Sequence, residues 1–150
     1  MDILPGKIKA ISVSKKKGIP KTNVSSIRLI ENFGLEGDAH GGEWHRQVSL
    51  LANESIDKMR SAGLPNLRPG AFAENITTEF IDIPNLKAGT RVTIGNSVEL
   101  EITQIGKECR SKCAIFIKIG DCVMPKEGVF AKVITGGEIK VGDNIMVSGC

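Results

Sequence analysis

The stretch VFAKVITGGEIKVGDNIMVS, Val129 to Ser148, is cut into short apolar segments by Gly136-Gly137 and by Gly142-Asp143. RVTIG and VELEITQIG repeat the pattern earlier, on either side of a tight turn at Asn96-Ser97 that follows Gly95. Segments this short, alternating polar and apolar, match the period of a half-buried strand. They leave no room for a succession of long helices. The chain is therefore expected to be mainly β.

Three more strands are read at Lys7–Ser14 (KIKAISVS), Val24–Ile30 (VSSIRLI) and Gln47–Ala52 (QVSLLA). One helix is expected in ESIDKMRSAG, capped by Asn53, with Ile56, Met59 and Arg60 on one face and Gly63 at its end. A second short helical turn is read in CAIFIKIG. Sequential hairpins without a βαβ rhythm favour a closed or partly closed β-barrel with one or two short helices over a parallel sheet. At 150 residues the expectation is a single domain, residues 1–150.

Composition narrows the function. Aromatic residues make up 4% of the chain and tyrosine is missing, which argues against a nucleic-acid binder built on base stacking. A net charge of +3 suits a small anionic ligand better than a long polyanion. The N-terminal MDILPGKIKAISVSKKKG has no long apolar run, so neither a signal peptide nor a membrane span is expected. Four cysteines without a secretory signal read as reduced thiols of the cytoplasm. Lys15–Lys17 reads as a solvated loop tip.

Two stretches hold residues suited to binding. GLEGDAHGGEWHRQ, Gly34 to Gln47, combines four glycines with Asp38, His40, His45, Arg46 and the only tryptophan. Backbone amides around Gly37 and Gly41 are suited to an anion nest, to which Arg46 adds a bidentate contact. The competing reading is a turn-rich connection hydrogen-bonded to itself. RPGAFAENI, Arg68 to Ile76, carries the pair Glu74-Asn75. Asn75 offers a donor and an acceptor to a heterocycle, or equally to neighbouring backbone groups.

The segment GKECRSKC, Gly106 to Cys113, raises the question of thiol chemistry. A zinc site would draw on Cys109, Cys113, Cys122 and Cys150, or on His40 and His45, but the chain offers no second matching knuckle. A thioredoxin-type pair needs C-x-x-C at the start of a helix, and that is missing too. The remaining alternatives are an inert packed cysteine and an activated one. Cys109 has Lys107, Arg110 and Lys112 around it, and neighbouring cations stabilise a thiolate.

GLEGDAHGG, GAFAENITTE, TQIGKEC and KEGVFAKVITGGEIKVGDNIMV, in this order, resemble the MOSC domain, the C-terminal domain of molybdenum-cofactor sulfurase. The resemblance runs from about Ile11 to Val147 and is nearest to short, single-domain members. It implies a β-barrel that handles the molybdenum cofactor (molybdopterin) or its sulfur. It makes Cys109 the sulfur carrier or molybdenum ligand. Cys113 is the nearest equivalent of the metal-binding thiolate of amidoxime-reducing relatives, at a spacing one residue longer. His40 and Asn75 match the motifs facing the same pocket, with Gly37, Asp38 and Gly41 in the glycine-rich loop and Arg46 beside it. Glu108 stands where many relatives have proline. No pyridoxal-phosphate desulfurase domain and no additional N-terminal barrel accompany these motifs, so the cofactor is expected to be held weakly or in transit. The implied partners are a cysteine desulfurase, a cofactor-biosynthesis protein or an electron donor. Whether the chain is an enzyme stays open. A molybdenum-dependent reductase of N-hydroxylated substrates is the first alternative, and a structural or zinc-binding module is the second.

Overall fold

The computed structural model describes residues 5–17, 19, 21–106 and 127–149. In chain order the strands are β1 (Gly6–Val13), β2 (Thr22–Val24), β3 (Ser26–Ile30), β4 (Gly34–Leu35), β5 (Val48–Ala52) and β6 (Ile76–Glu79). After these come β7 (Arg91–Ile94), β8 (Val98–Ile105), β9 (Val129–Thr135), β10 (Gly137–Lys140) and β11 (Asn144–Gly149). The α-helix α1 spans Asn53–Ser61, and a short 3-10 turn spans Ile83–Asn85. Neither is long enough to cross a membrane.

Seven strands close into a barrel in the order β11-β7-β8-β9-β5-β6-β1, and β1 returns to β11 through Gly6 opposite Ile145 and Lys7 opposite Asn144. A separate three-stranded sheet runs β10-β3-β4. Closure removes the open edges that a sheet of short strands would otherwise expose.

The alternation read from the sequence explains the interior. Val98, Leu100 and Ile102 of β8 are buried, while Glu99, Glu101 and Thr103 between them are partly exposed. Val92 and Ile94 of β7, Ile8 and Ile11 of β1 and Ile145 of β11 join the same core. Strand β5 departs from alternation: all five residues are buried. Val48, Leu50 and Ala52 belong to the barrel core, whereas Leu51 packs with Ile56 and Met59 of α1 and with Phe72 and Phe130. A strand covered on both faces is apolar throughout.

Several expectations are corrected by the tertiary arrangement. Val24–Ile30 is two strands: Val24 pairs with Ile11 of the barrel, and after Ser25 the chain passes to the small sheet, where Ser26 pairs with Lys140. Gly136-Gly137 does not turn β9 back on itself. Strand β10 leaves the barrel there and pairs with β3, and Gly136 lies so close to this strand that a Cβ would sit 2.5 Å from the Leu29 carbonyl oxygen. One βαβ unit exists, because β5 and β6 are parallel across the crossover through α1. Asn53 is not the helix cap. Ala52 holds that position, and the Asn53 amide oxygen accepts from Arg60 Nη1 at 3.0 Å instead.

Other expectations hold. Ile94 faces Val98 across the Gly95–Ser97 turn, and Gly95 adopts the left-handed φ of 60°. Gly63 follows the helix with φ at 135°. Lys15–Lys17 is exposed, although Lys17 Nζ also stands 5.8 Å from the Trp44 ring centroid. The CAIFIKIG segment lies outside the described residues.

Candidate functional site

The loop between β4 and β5 and the loop leading into β6 meet at one end of the barrel, at the first residues of β5. Asn75, immediately before β6, is the point where they are joined. It is buried, and its Oδ1 accepts from the Ser49 amide at 3.0 Å and from Ser49 Oγ at 3.1 Å. Its Nδ2 donates to the Ser12 carbonyl at 3.2 Å and to Asp38 Oδ2 at 3.1 Å. Both halves of the amide are therefore used in tying β1, β5 and the glycine-rich loop together. Of the two uses read from the sequence, the internal one accounts for every polar atom of this side chain.

Glu74, one residue earlier, organises its own loop. Its carboxylate accepts from the Gly70 amide at 2.8 Å, the Phe72 amide at 3.1 Å and Thr77 Oγ1 at 2.8 Å. Burial pushes its pKa up, and these hydrogen bonds offset only part of that shift.

Asp38 is the electrostatic centre beneath the loop. Its side chain is fully buried and forms a 2.9 Å ion pair with Lys21, whose side chain is 1% exposed. Asp38 Oδ1 also accepts from the Ser14 amide at 3.0 Å. Burial acts to raise the Asp38 pKa. The Ser14 amide, the Lys21 ammonium and the Asn75 amide together outweigh it and hold the carboxyl below its ordinary value. Lys21 Nζ makes a second contact, 3.2 Å from His40 Nδ1.

The loop's backbone amides are largely committed. Those of Glu36, Asp38, Ala39, Gly41 and Gly42 donate to protein carbonyls, and that of His40 donates to Asp38 Oδ2. Gly41 packs against Phe33 so tightly that a Cβ would lie 2.4 Å from its ring. Gly37 takes φ at 78° with open space where a Cβ would be. These amides are thus used within the loop and toward Ser14, Arg28 and Phe33, and are not gathered into an anion nest.

Three of the expected residues do converge. His40, Arg46 and Asn75 line one cleft of about 100 Å³ together with Trp44, Ser49 and Phe130. The Arg46 guanidinium carbon lies 5.2 Å from the Phe130 ring centroid, a cation–π arrangement. Arg46 Nε donates to Gln104 Oε1 at 3.0 Å, while Nη1 and Nη2 have no partner among the described residues. Gln104 is in turn held by His45 Nε2 at 2.9 Å and by its own donation to the Gly106 carbonyl at 2.8 Å. The Trp44 indole N–H donates to the His40 carbonyl at 2.8 Å. A guanidinium stacked on one side and oriented at Nε presents its remaining donors as a fork suited to an oxyanion.

Gly37, Asp38 and Gly41 shape the loop without lining the cleft. Cys109 and Cys113 lie outside the described residues, as do Cys122 and Cys150. The chain enters and leaves residues 107–126 beside the cleft, because the Gly106 amide donates to the Gly128 carbonyl at 2.6 Å. No group of three or more potential metal ligands occurs among the described residues. Sequence reasoning missed Lys21, Gln104 and Phe130. Gln104 sits in the TQIGKEC motif and was within reach, whereas Lys21 in GIPKTN carries no local signal.

Solved structures of other proteins share this fold. The fold is similar to that of YuaD from Bacillus subtilis, with a TM-score of 0.79 and 18% identity over 95% of this chain and 94% of that one. It is also similar to YiiM from Geobacillus stearothermophilus, with a TM-score of 0.71 and 19% identity over 95% and 75% of the two chains. YiiM from Escherichia coli gives 0.67 and 17% over 96% and 70%. No curated protein is similar enough to match. The family model for the MOSC domain matches residues 36–146, a span that takes in Asp38, His40, Arg46, Asn75, Gln104 and Phe130. The chain belongs to the MOSC domain family, which is associated with molybdenum-cofactor binding or sulfur chemistry.

Proposed function

We propose that this protein is a binding or carrier module for the molybdenum cofactor in the cytoplasm, with the Arg46–His40 cleft as its anion subsite and Cys109 as its working thiol. The observation that carries the reading is the pair of Arg46 Nη groups, without a partner among the described residues and held over Phe130 beside the point where the chain departs toward Cys109. Cys109 follows Gly106 by three residues, and a chain that short reaches no further than about 11 Å.

The cleft also bounds what is held. At about 100 Å³ it is far smaller than the roughly 300–1,000 Å³ that encloses a drug-sized ligand. Its donors fit one anionic group of the cofactor, the pterin phosphate or an oxo group, and not the whole molecule. That agrees with weak holding in transit. When bound, the cofactor supplies a thiophilic, redox-active metal. Arg46 and His40 orient its anionic group, Gln104 fixes the guanidinium, and Asn75 keeps the cleft floor rigid. Cys109 serves as soft ligand or as sulfur acceptor. In the second role its thiolate attacks the outer sulfur of a desulfurase persulfide, and the donor cysteine departs as thiolate.

The test is the metal and pterin content of protein purified from a molybdate-fed host that makes the cofactor. Wild type is expected to carry molybdenum and pterin. Cys109→Ser is expected to lose the metal, because a hydroxyl is a harder and less acidic donor, while Cys113→Ser retains most of it. Loss only in Cys113→Ser would favour the reductase of N-hydroxylated substrates, working with an electron-donor protein. Zinc in place of molybdenum, with no pterin, would sink the proposal. Arg46→Ala is expected to weaken cofactor retention about tenfold or more, since a charge-assisted hydrogen bond is worth roughly 1.5–3 kcal/mol.

A further inference from the structure

We propose that the surface around Phe80 is a docking site for a different protein, one that presents an apolar side chain ringed by lysine or arginine. This surface shares no lining residue with the Arg46 cleft, so the inference stands apart from the anion subsite.

Phe80 follows β6 and takes a left-handed φ of 65°, a strained conformation for a bulky side chain. Its amide donates to Glu54 Oε2 of α1 at 2.8 Å, which fixes the backbone there. The ring gains little from the fold in return, being 68% exposed. Strain that burial does not repay clusters at sites of function. The ring lines two clefts, of about 380 and 350 Å³, both of which also include Ile81 and Asp82. Met146 and Val147 of β11 are exposed and extend the apolar surface of the second cleft, beside Pro5. A contiguous apolar patch built around an aromatic ring has the composition of a protein-binding hot spot.

Charge selects the occupant. The first cleft is lined by Glu54, Asp82 and Glu127 against one lysine, Lys58, which is paired with Glu127 at 2.9 Å. Glu54 and Asp82 accept from the Phe80 amide and from Asn85 Nδ2, and neither has a lysine or arginine partner among the described residues. The rim is therefore acidic in a chain whose net charge is +3. A second copy is disfavoured, because in a two-fold contact the patch faces itself and carboxylates meet carboxylates. A partner with cations around an apolar anchor complements both the rim and the ring.

Two short peptides test this at pH 7, one alternating lysine with leucine and one alternating glutamate with leucine. The methyl NMR signals of Ile81, Met146 and Val147 locate the binding. The lysine peptide is expected to bind and shift these methyls, and the glutamate peptide to bind at least about tenfold more weakly. Phe80→Ser is expected to weaken the lysine peptide about tenfold or more. The double variant Glu54→Gln/Asp82→Asn keeps both acceptor oxygens and is expected to remove most of the salt dependence. Equal binding of the two peptides, no binding of either, or shifts confined to other surfaces would overturn the inference. Phe80→Gly separates recognition from folding, since it relieves the φ and gives up little buried surface. Its thermal midpoint is expected to equal or exceed that of wild type while peptide binding is lost. A lower midpoint would mean that the ring serves the fold, against the proposal. Sedimentation of wild type is expected to show a monomer. A dimer abolished by Phe80→Ser would assign the patch to a second copy, and peptide binding that appears only after removal of residues 1–4 would assign it to the chain's own N-terminal segment. Either result would overturn the assignment to a different protein.

Discussion

Lys21→Met is expected to destabilise the protein by about 3–5 kcal/mol at pH 7, the usual cost of stranding one partner of a buried ion pair. The effect is large because no other lysine or arginine among the described residues pairs with Asp38. Asp38 would keep the Ser14 and Asn75 hydrogen bonds but lose the Lys21 ammonium, the lysine or arginine paired with it among the described residues. In the native protein the Asp38 pKa is held down, so its contribution to stability is fully present above the unfolded value of about 3.9 and disappears as pH falls through the lower folded value. Removing Lys21 takes away both its hydrogen bond and its charge, which act against burial, and is expected to raise the Asp38 pKa. The variant's deficit should therefore shrink as pH falls from 7 to 4 and the carboxyl takes up a proton. Urea unfolding at the two pH values reads this out. A deficit below 1 kcal/mol at pH 7, or one independent of pH, would mean that the pair does not hold the loop.

Asn75→Asp should be comparably damaging although it changes the shape of the side chain hardly at all. The acceptor toward Ser49 survives, but both donors are lost, and a second carboxylate arrives where Nδ2 stood 3.1 Å from Asp38 Oδ2. Two carboxylates at that distance cannot both ionise at ordinary cost, so one is expected to bind a proton with a raised pKa. A loss of about 3–5 kcal/mol is expected at pH 7, from the unpaired buried charge and the orphaned Ser12 carbonyl. Because the folded pair binds a proton more readily than the unfolded chain, the variant should gain stability as pH falls through that raised value. Wild type lacks this gain at the same site. Thermal unfolding of both proteins across pH 4 to 8 would show the opposite trends. A parallel pH dependence would mean that Asn75 is not the junction of the three segments.

Much of this fold could be read before any coordinates. The strands β1, β7 and β8 follow from apolar alternation, β5 and β9 follow from short apolar runs, and the turns at Gly95–Ser97 and Gly142-Asp143 follow from residues that tolerate left-handed φ. The four motifs also pointed to the family and to the loop and asparagine that build the cleft. These signals are local: propensity and periodicity act over a few residues, so a short window carries them.

Tertiary structure alone decided what those residues meet. Barrel closure joins Gly6 and Lys7 to Ile145 and Asn144, and no local pattern encodes that register. Gly136-Gly137 looks like a hairpin turn and is a crossover to another sheet, because the partner of β10 is β3 and not β9. Asn75 admits two uses in the sequence, and only the positions of Ser12, Ser49 and Asp38 select the internal one. Lys21, in the polar stretch GIPKTN, carries no local signal and becomes the buried counter-charge of the site. The energy of a charge depends on what excludes water from it and what stands opposite, and both are supplied by chain segments distant in sequence.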